Sequence, residues 1–352
     1  MLRWVVKEVE SPYGGVATVH WAVGEGGEGD SAATADACDA SLQQQLEPAE
    51  DQLGAVLWNS NTVALRYLHE HVLRRERLAG CRVVELGAGV GCLGIALAMA
   101  GARVVVTDLK ELVPLMQKNI ELNAARIRAR SNGQGSCAAL ALRWGPPPRP
   151  KKSKRQRSEV APPGLRAKAA SPYAAPSPSF LALQQALDRV DLVVLCDALY
   201  GNPRDWPQLL YTLSEILAAN PNCEVVNFCE QRVDDVEGDF LRLLQRENSR
   251  SLPSAAAAGK ADAEDAEEES LESALTRMRG AYEWQSSTES VREGTSDLDM
   301  AVRATRIRWA PRGQTRPPPP HLPPRTPPIT AVCDGDEAET GAPRRKRRRT
   351  AS

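Results

Sequence analysis

Nine consecutive residues, Val83-Val84-Glu85-Leu86-Gly87-Ala88-Gly89-Val90-Gly91, constrain the fold of this 352-residue chain more than any other stretch. They read as a buried strand that enters a glycine-rich turn and leaves it as a helix. Arg82 to Leu86 supply the β-branched, apolar run of an inner parallel strand. The small residues at 87, 89 and 91 let the backbone turn sharply and approach a ligand with no Cβ in the way. A helix is predicted from Gly91 to Met99. The expectation is an α/β chain with a nucleotide-like cofactor at the turn.

Spacing separates two cofactor classes. A dinucleotide fingerprint, G-x-G-x-x-G, rests a pyrophosphate on the helix N-terminus, but Cys92 stands where its third glycine belongs and the run is G-x-G-x-G preceded by Glu85. A second strand is predicted over Arg103 to Thr107. It stops at Asp108, about 20 residues beyond the glycines, where a carboxylate can accept both hydroxyls of a ribose. That placement is common to dehydrogenases and methyltransferases, so Asp108 implies a ribose without choosing between them. The whole pattern, E-x-G-x-G-x-G at the end of the first strand, resembles motif I of the class I, seven-strand S-adenosylmethionine methyltransferases. In that family the acid helps order the charged amino-acid end of a sulfonium cofactor that carries no phosphate.

The remaining elements follow from periodicity. Leu109 to Ala125 has near-helical apolar spacing, with Pro114 tolerable in its first turns. Ala138 to Leu142 alternates as a strand, Phe180 to Leu187 is a short helix, and Asp191 to Cys196 is apolar throughout and therefore central. A helix over Trp206 to Ala219, a strand over Glu224 to Phe228 and a helix over Val236 to Gln245 come next. Tyr282 to Gln285 and Met300 to Trp309 are two strand-like pieces with no helix between them. A parallel sheet closed by such a pair fits a methyltransferase better than a dehydrogenase, which would continue with crossover helices. The predicted fold is a Rossmann-like, seven-strand α/β sheet with helices on both faces.

Ligands of open α/β sheets lie beyond the carboxyl ends of the strands. Cys196-Asp197-Ala198-Leu199-Tyr200 therefore faces the cofactor. Methyltransferases of amide and adenine nitrogens commonly carry two prolines here, whereas this chain has Ala198 and Leu199. Asp197-x-x-Tyr200 instead resembles the corresponding motif of the family 16 protein methyltransferases, most of which methylate lysine. An acid and a phenol suit that chemistry. A lysine ammonium, with a pKa of about 10.4, must lose a proton before in-line attack. Asp197 would orient the ammonium and Tyr200 would shape the channel; either Asp197 or bulk water could take the proton. A plain turn cap after the strand is the competing role for Asp197.

The resemblance extends to Leu57-Trp58-Asn59-Ser60 and the following helix, Val63 to Val72, and to Val104 to Leu109, Lys118 to Asn123 and Leu142 to Gly145. It implies that Trp58 lies against the cofactor and Trp144 flanks its adenine. The implied cofactor-binding set is Trp58, Glu85, Gly87, Ala88, Gly89, Gly91, Asp108, Trp144 and Cys196, with Asp197 and Tyr200 as the catalytic pair and no metal. Glu230-Gln231-Arg232, followed by Phe240 to Leu244, is most similar to the branch that methylates valosin-containing protein, an AAA-type ATPase. The implied partner is thus a lysine-bearing protein, a chaperone or AAA ATPase. Three departures stand out: long insertions near 24–50 and 146–179, and Gly201-Asn202-Pro203 where the family has acidic residues, which touches the identity of the target.

Composition sets the outer limits. Stretches near 24–50, 146–179 and 249–279 and the tail at 311–352 are rich in small, charged or proline residues and lack the apolar periodicity that repays chain entropy. They are expected to be disordered, leaving roughly 220 to 240 residues within 1–310, the size of one doubly wound domain. There is no apolar run long enough to span a membrane, and Met1-Leu2-Arg3-Trp4 does not open a leader, so a non-secreted protein is expected. Eight cysteines without a C-x-x-C pair suggest reduced thiols, and His69 and His71, two apart, point to different sides of a helix. A net charge of −1 disfavours nucleic acid as the main substrate. The basic runs Lys151 to Arg157 and Arg344 to Arg349 fit nuclear import signals or solvated tails, so the expected location is cytoplasmic, nuclear or both, and the expected state is a monomer. A nucleic-acid or small-molecule methyltransferase and a non-catalytic binding module are the alternatives.

Overall fold

The structure is a computed structural model that describes residues 2–23, 52–72, 78–146, 177–199, 203–231, 234–249, 282–292 and 301–312. The expected insertions near 24–50, 146–179 and 249–279 and the tail at 311–352 fall largely outside those residues. Nine strands are described: β1 (Leu2–Val9), β2 (Val16–Val23), β3 (Arg82–Leu86), β4 (Arg103–Asp108), β5 (Ser136–Ala141), β6 (Leu192–Cys196), β7 (Glu224–Glu230), β8 (Tyr282–Arg292) and β9 (Ala301–Pro311). The helices are α1 (Ser60–Tyr67), which runs on as a wider π turn over Leu68–Val72, α2 (Cys92–Met99), α3 (Val113–Arg130), α4 (Pro178–Ala186), α5 (Trp206–Ala219) and α6 (Val236–Ser249).

Seven strands form one sheet in the order β5-β4-β3-β6-β7-β9-β8. The first five are parallel and the last two pair antiparallel, as expected of a parallel sheet closed by a terminal strand pair. The chain builds outward from β3 through β4 to β5, then returns to place β6 on the other side of β3. The carboxyl ends of β3 and β6 therefore flank a topological switch point, where an open α/β sheet binds its ligand.

Alternate residues of each inner strand face opposite sides, and the two sides carry separate apolar cores. Val83, Val104, Val106, Val194 and Phe228 pack with α1, α2 and α3. Val84, Leu86, Val105, Val193 and Leu195 pack with α4, α5 and α6. Each such side chain contributes about 1.5–3 kcal/mol by leaving water, which is why β3, β4 and β6 are almost wholly apolar. Helix α2 is buried at all eight positions, so Cys92 to Met99 is apolar all round rather than on one stripe.

No element was expected in residues 2–23, and the structure folds them into the β1–β2 hairpin. Its dock is polar. Asn119 and Asn123, one turn apart on α3, present their amides to β2: Val19 N–H donates to Asn119 Oδ1 (2.8 Å) and Ala17 N–H to Asn123 Oδ1 (3.0 Å). The amide nitrogens return bonds to Val19 O (3.1 Å) and Ala17 O (2.7 Å). Four helical residues rise about 6 Å and two strand residues about 6.6 Å, so the helix mimics a neighbouring strand.

Several boundaries differ from expectation, including the start of α3 at Val113 rather than Leu109 and the end of α6 at Ser249 rather than Gln245. Helix α3 continues to Arg130, because Ile127 extends its buried face among arginines. Strand β5 begins at Ser136 rather than Ala138. Strand β8 continues to Arg292 rather than ending at Gln285. Its Ser286 to Ser290 are exposed on both faces, so no apolar alternation marks them, and pairing with β9, joined by a Thr288–Thr305 hydroxyl bond (2.8 Å), makes them a strand.

Candidate active site

Gly87, Gly89 and Gly91 all have left-handed backbones, with φ of +68°, +54° and +76°, a conformation that penalises any Cβ. Space is tight as well. A Cβ on Gly87 would lie 3.0 Å from Ala198 Cβ and 3.3 Å from Trp144 Cζ2, and one on Gly89 would lie 2.6 Å from Gly54 O. The turn is thus enclosed by the residue after Asp197, by the Trp144 ring and by the short helical turn Gln52–Ala55. Residues 87 to 89 remain half-buried, Trp144 is partly exposed beside Gly87, and Trp58 is partly exposed on the segment that leads from Gly54 to α1.

Two carboxylates order this turn. Asp108, at the end of β4, accepts Gly89 N–H on Oδ2 (2.8 Å) and Leu109 N–H on Oδ1 (2.7 Å). A carboxylate at this strand end is placed to accept hydroxyls as well as these backbone donors. Glu85 lies on the opposite side of the turn, only 2% exposed, and its Oε2 accepts the N–H of Gly94 in the first turn of α2 (2.8 Å). Burial, and to a lesser degree the Asp108 charge, pushes its carboxyl up to about 8 despite the Gly94 bond. Its contacts are with the helix, so it shapes the turn from beneath; the ligand-facing surface is the turn itself.

That arrangement bears on the cofactor class. A dinucleotide pyrophosphate needs the free N–H groups at the start of the helix. Here one of them is committed to a carboxyl group of the chain itself. Gly94 permits the approach, since a Cβ there would lie 2.3 Å from Val106 Cγ1 and 2.7 Å from Glu85 Oε2.

Asp197 follows β6 with a left-handed φ of +51°, shared among described non-glycine residues only by Asn132. Aspartate tolerates that region better than most residues, and three bonds hold it there. Its N–H donates to Phe228 O (2.8 Å), its Oδ1 accepts Glu230 N–H (2.9 Å) and its Oδ2 accepts the Ser60 hydroxyl (2.5 Å). The carboxylate is therefore tied to α1 on one side and β7 on the other. It caps the end of β7, so the turn-cap role and a place at the switch point belong to the same side chain. Cys196, beside it, is buried, and its thiol donates to Ser60 Oγ (3.5 Å); burial raises the thiol well above its ordinary range.

The structure thus gathers Trp58, Glu85, Gly87, Ala88, Gly89, Gly91, Asp108, Trp144, Cys196 and Asp197 around the carboxyl ends of β3, β4 and β6. Tyr200, with Gly201, Asn202 and Arg232, lies outside the described residues. Four contributors were not among the expected site residues: Gly54, Ser60, Gly94 and Asn119. Asn119 reaches the turn through its amide, which donates to Val90 O (2.9 Å). Only Gly94 had a readable cue, as a glycine inside an otherwise apolar helix.

A family model described as lysine methyltransferase matches residues 39–160. That span holds Trp58, the glycine turn, Asp108 and Trp144 and stops short of Asp197. The mouse "Protein N-lysine methyltransferase METTL21A" is 42% identical over 74 residues, 20% of this chain and 33% of that protein. The Xenopus tropicalis "EEF1A lysine methyltransferase 3" is 32% identical over 93 residues, 26% of this chain and 37% of that protein. The Xenopus laevis "Histone-arginine methyltransferase METTL23" is 25% identical over 173 residues, 49% of this chain and 56% of that protein. The chain spans only 33% and 32% of the length of the mouse METTL21A and METTL21E proteins it matches.

Proposed function

We propose that this chain is an S-adenosylmethionine-dependent methyltransferase whose acceptor is a lysine side chain of another protein. The observation that carries the reading is the commitment of Gly94 N–H to Glu85 beneath a left-handed glycine turn. It leaves a cradle suited to a nucleoside without a pyrophosphate. The similarity to lysine methyltransferases over residues 39–160 supports the acceptor class. The cofactor supplies an electrophilic methyl group on a sulfonium. Asp108, at the end of β4 beside the glycine turn, would hold the ribose hydroxyls, and Trp58 and Trp144 would enclose the nucleoside. Asp197 holds and orients the incoming ammonium, and Tyr200 shapes the channel through which it arrives.

The finer reading is a chaperone or AAA ATPase target, by resemblance to the branch that methylates valosin-containing protein. What supports it is the likeness of Glu230-Gln231-Arg232 and Phe240 to Leu244 to that branch. The chain acts as a monomer, with one methyltransferase domain within 1–310, in the cytoplasm, the nucleus or both, the last supported by its basic runs.

Incubation of the purified chain with labelled S-adenosylmethionine and cell extract tests the reading. Label is expected in protein and, after hydrolysis, in methyl-lysine. Label in methylarginine would move the acceptor, label in nucleic acid alone would remove the protein reading, and binding without transfer would leave a non-catalytic module. Asp197→Ala is expected to keep cofactor binding and lose transfer by roughly 100-fold or more; activity near that of the parent would show that Asp197 is misassigned.

A further inference from the structure

We infer that Ser60 is a positioning residue that sets the Asp197 carboxylate and links it to the segment covering the glycine turn; this rests on the methyltransferase reading above. Ser60 is fully buried at the start of α1. A serine there ordinarily bonds its own helix backbone. Its hydroxyl instead crosses 137 residues of sequence to donate to Asp197 Oδ2 at 2.5 Å. The direction of that bond is set by Cys196, whose thiol fills the acceptor side of Ser60 Oγ. With Glu230 N–H on Oδ1, the carboxylate receives one bond from α1 and one from β7, and its plane is defined by two elements that do not otherwise meet in sequence.

The other end of the same segment reaches the donor side. Gly54 O lies over Gly89, and the stretch between is stiffened where Asn61 bonds Trp58 O through both its backbone N–H (3.2 Å) and its side-chain nitrogen (3.0 Å). One short length of chain therefore touches the glycine turn at Gly54, carries Trp58 and grips Asp197 at Ser60. Displacement of this length by a bound cofactor is transmitted to the carboxylate that meets the acceptor. An isolated structural serine would stabilise the fold and leave the reaction alone.

The test is steady-state transfer by the full chain and its Ser60→Ala, Ser60→Cys and Ser60→Thr variants, with the Asp197→Ala and Ser60→Ala/Asp197→Ala chains alongside. Thermal unfolding and S-adenosylhomocysteine binding are measured on each. Removing the strong donor, as alanine or as the near-isosteric cysteine, is expected to lower kcat about 10- to 100-fold with S-adenosylhomocysteine affinity within about 2-fold, because misplacement of a group by about 1 Å is costly to rate. Threonine, which keeps the hydroxyl, is expected to restore most of kcat. In the Asp197→Ala background, Ser60→Ala is expected to cost nothing further. A kcat within about 2-fold of the parent in both the alanine and cysteine variants, or an undiminished Ser60→Ala penalty without Asp197, overturns the inference alone. A parent chain that binds S-adenosylhomocysteine and methylates no protein overturns the functional reading and the Ser60 role with it.

Discussion

Glu85 shows how a single side chain can be local in origin and pH-dependent in effect. Its carboxyl rises from 4.5 to about 8 on burial, so at neutral pH the folded chain favours the protonated form while the unfolded chain does not. The stability this contributes is complete below the unfolded pKa and is lost as pH rises through the folded one. The parent should therefore lose stability between about pH 4.5 and about pH 8, by an amount on the order of a few kcal/mol. Glu85→Gln can still accept the Gly94 N–H and cannot ionise. Urea unfolding at pH 5, 6.5 and 8 should show a shallower decline for the variant; parallel declines would mean that another group governs this pH range. The glycines, Glu85, Asp108 and Asp197 were all legible in the sequence, because a strand that ends in glycine or a carboxylate is a pattern of contiguous residues. The partners of those carboxylates were not legible, since nothing near Asp197 in sequence names Ser60.

Two elements are secured by the same device, a helix asparagine acting as a strand. Asn119 and Asn123 pair with β2, and on the far edge of the sheet Asn248 of α6 accepts Trp284 N–H (2.8 Å) and donates to Trp284 O (2.7 Å). Edge backbone is thereby satisfied without a further strand. The two α3 asparagines differ in one respect: Asn119 also holds Val90 O in the glycine turn, whereas Asn123 donates to Ala17 O and to Asn119 O within its own helix. Replacing either by alanine should cost roughly 2–4 kcal/mol, because buried strand groups lose their partners. Only Asn119→Ala should also weaken S-adenosylhomocysteine binding, by several-fold, as the turn loosens. Equal affinities in the two variants, measured by calorimetry, would separate the hairpin dock from the site. Sequence periodicity missed both the hairpin and the second half of β8: the asparagines that dock the one lie about 100 residues away, and Ser286 to Ser290 of the other are exposed on both faces and carry no apolar rhythm.

At the scale of the molecule, the segment 147–176 departs from and returns to a single helix. Gly145 N–H donates to Thr212 Oγ1 (3.0 Å), and Ser177 donates to Glu215 through both its N–H and its hydroxyl (3.1 Å each). Thr212 and Glu215 are three residues apart on α5, about 4.5 Å along its axis. The ends are held together by the fold, so residues 149–174 should be replaceable by six Gly/Ser residues with a change in stability of about 1 kcal/mol and no loss of transfer. A large fall in urea midpoint would mean that the segment is part of the core, and a fall in transfer alone would give it a role in recognising the substrate. The sequence by itself determined the α/β class, the switch-point strands and the carboxylates at their ends. Those follow from the length of apolar runs and the spacing of glycines, which are properties of neighbouring residues. Tertiary structure alone decided that Glu85 serves the helix from beneath, that β2 docks on asparagines and that Asp197 is held between Ser60 and Glu230. The separations run from nine residues for Glu85 and Gly94 to 137 for Ser60 and Asp197, and each bond is made only when packing brings donor and acceptor within about 3 Å.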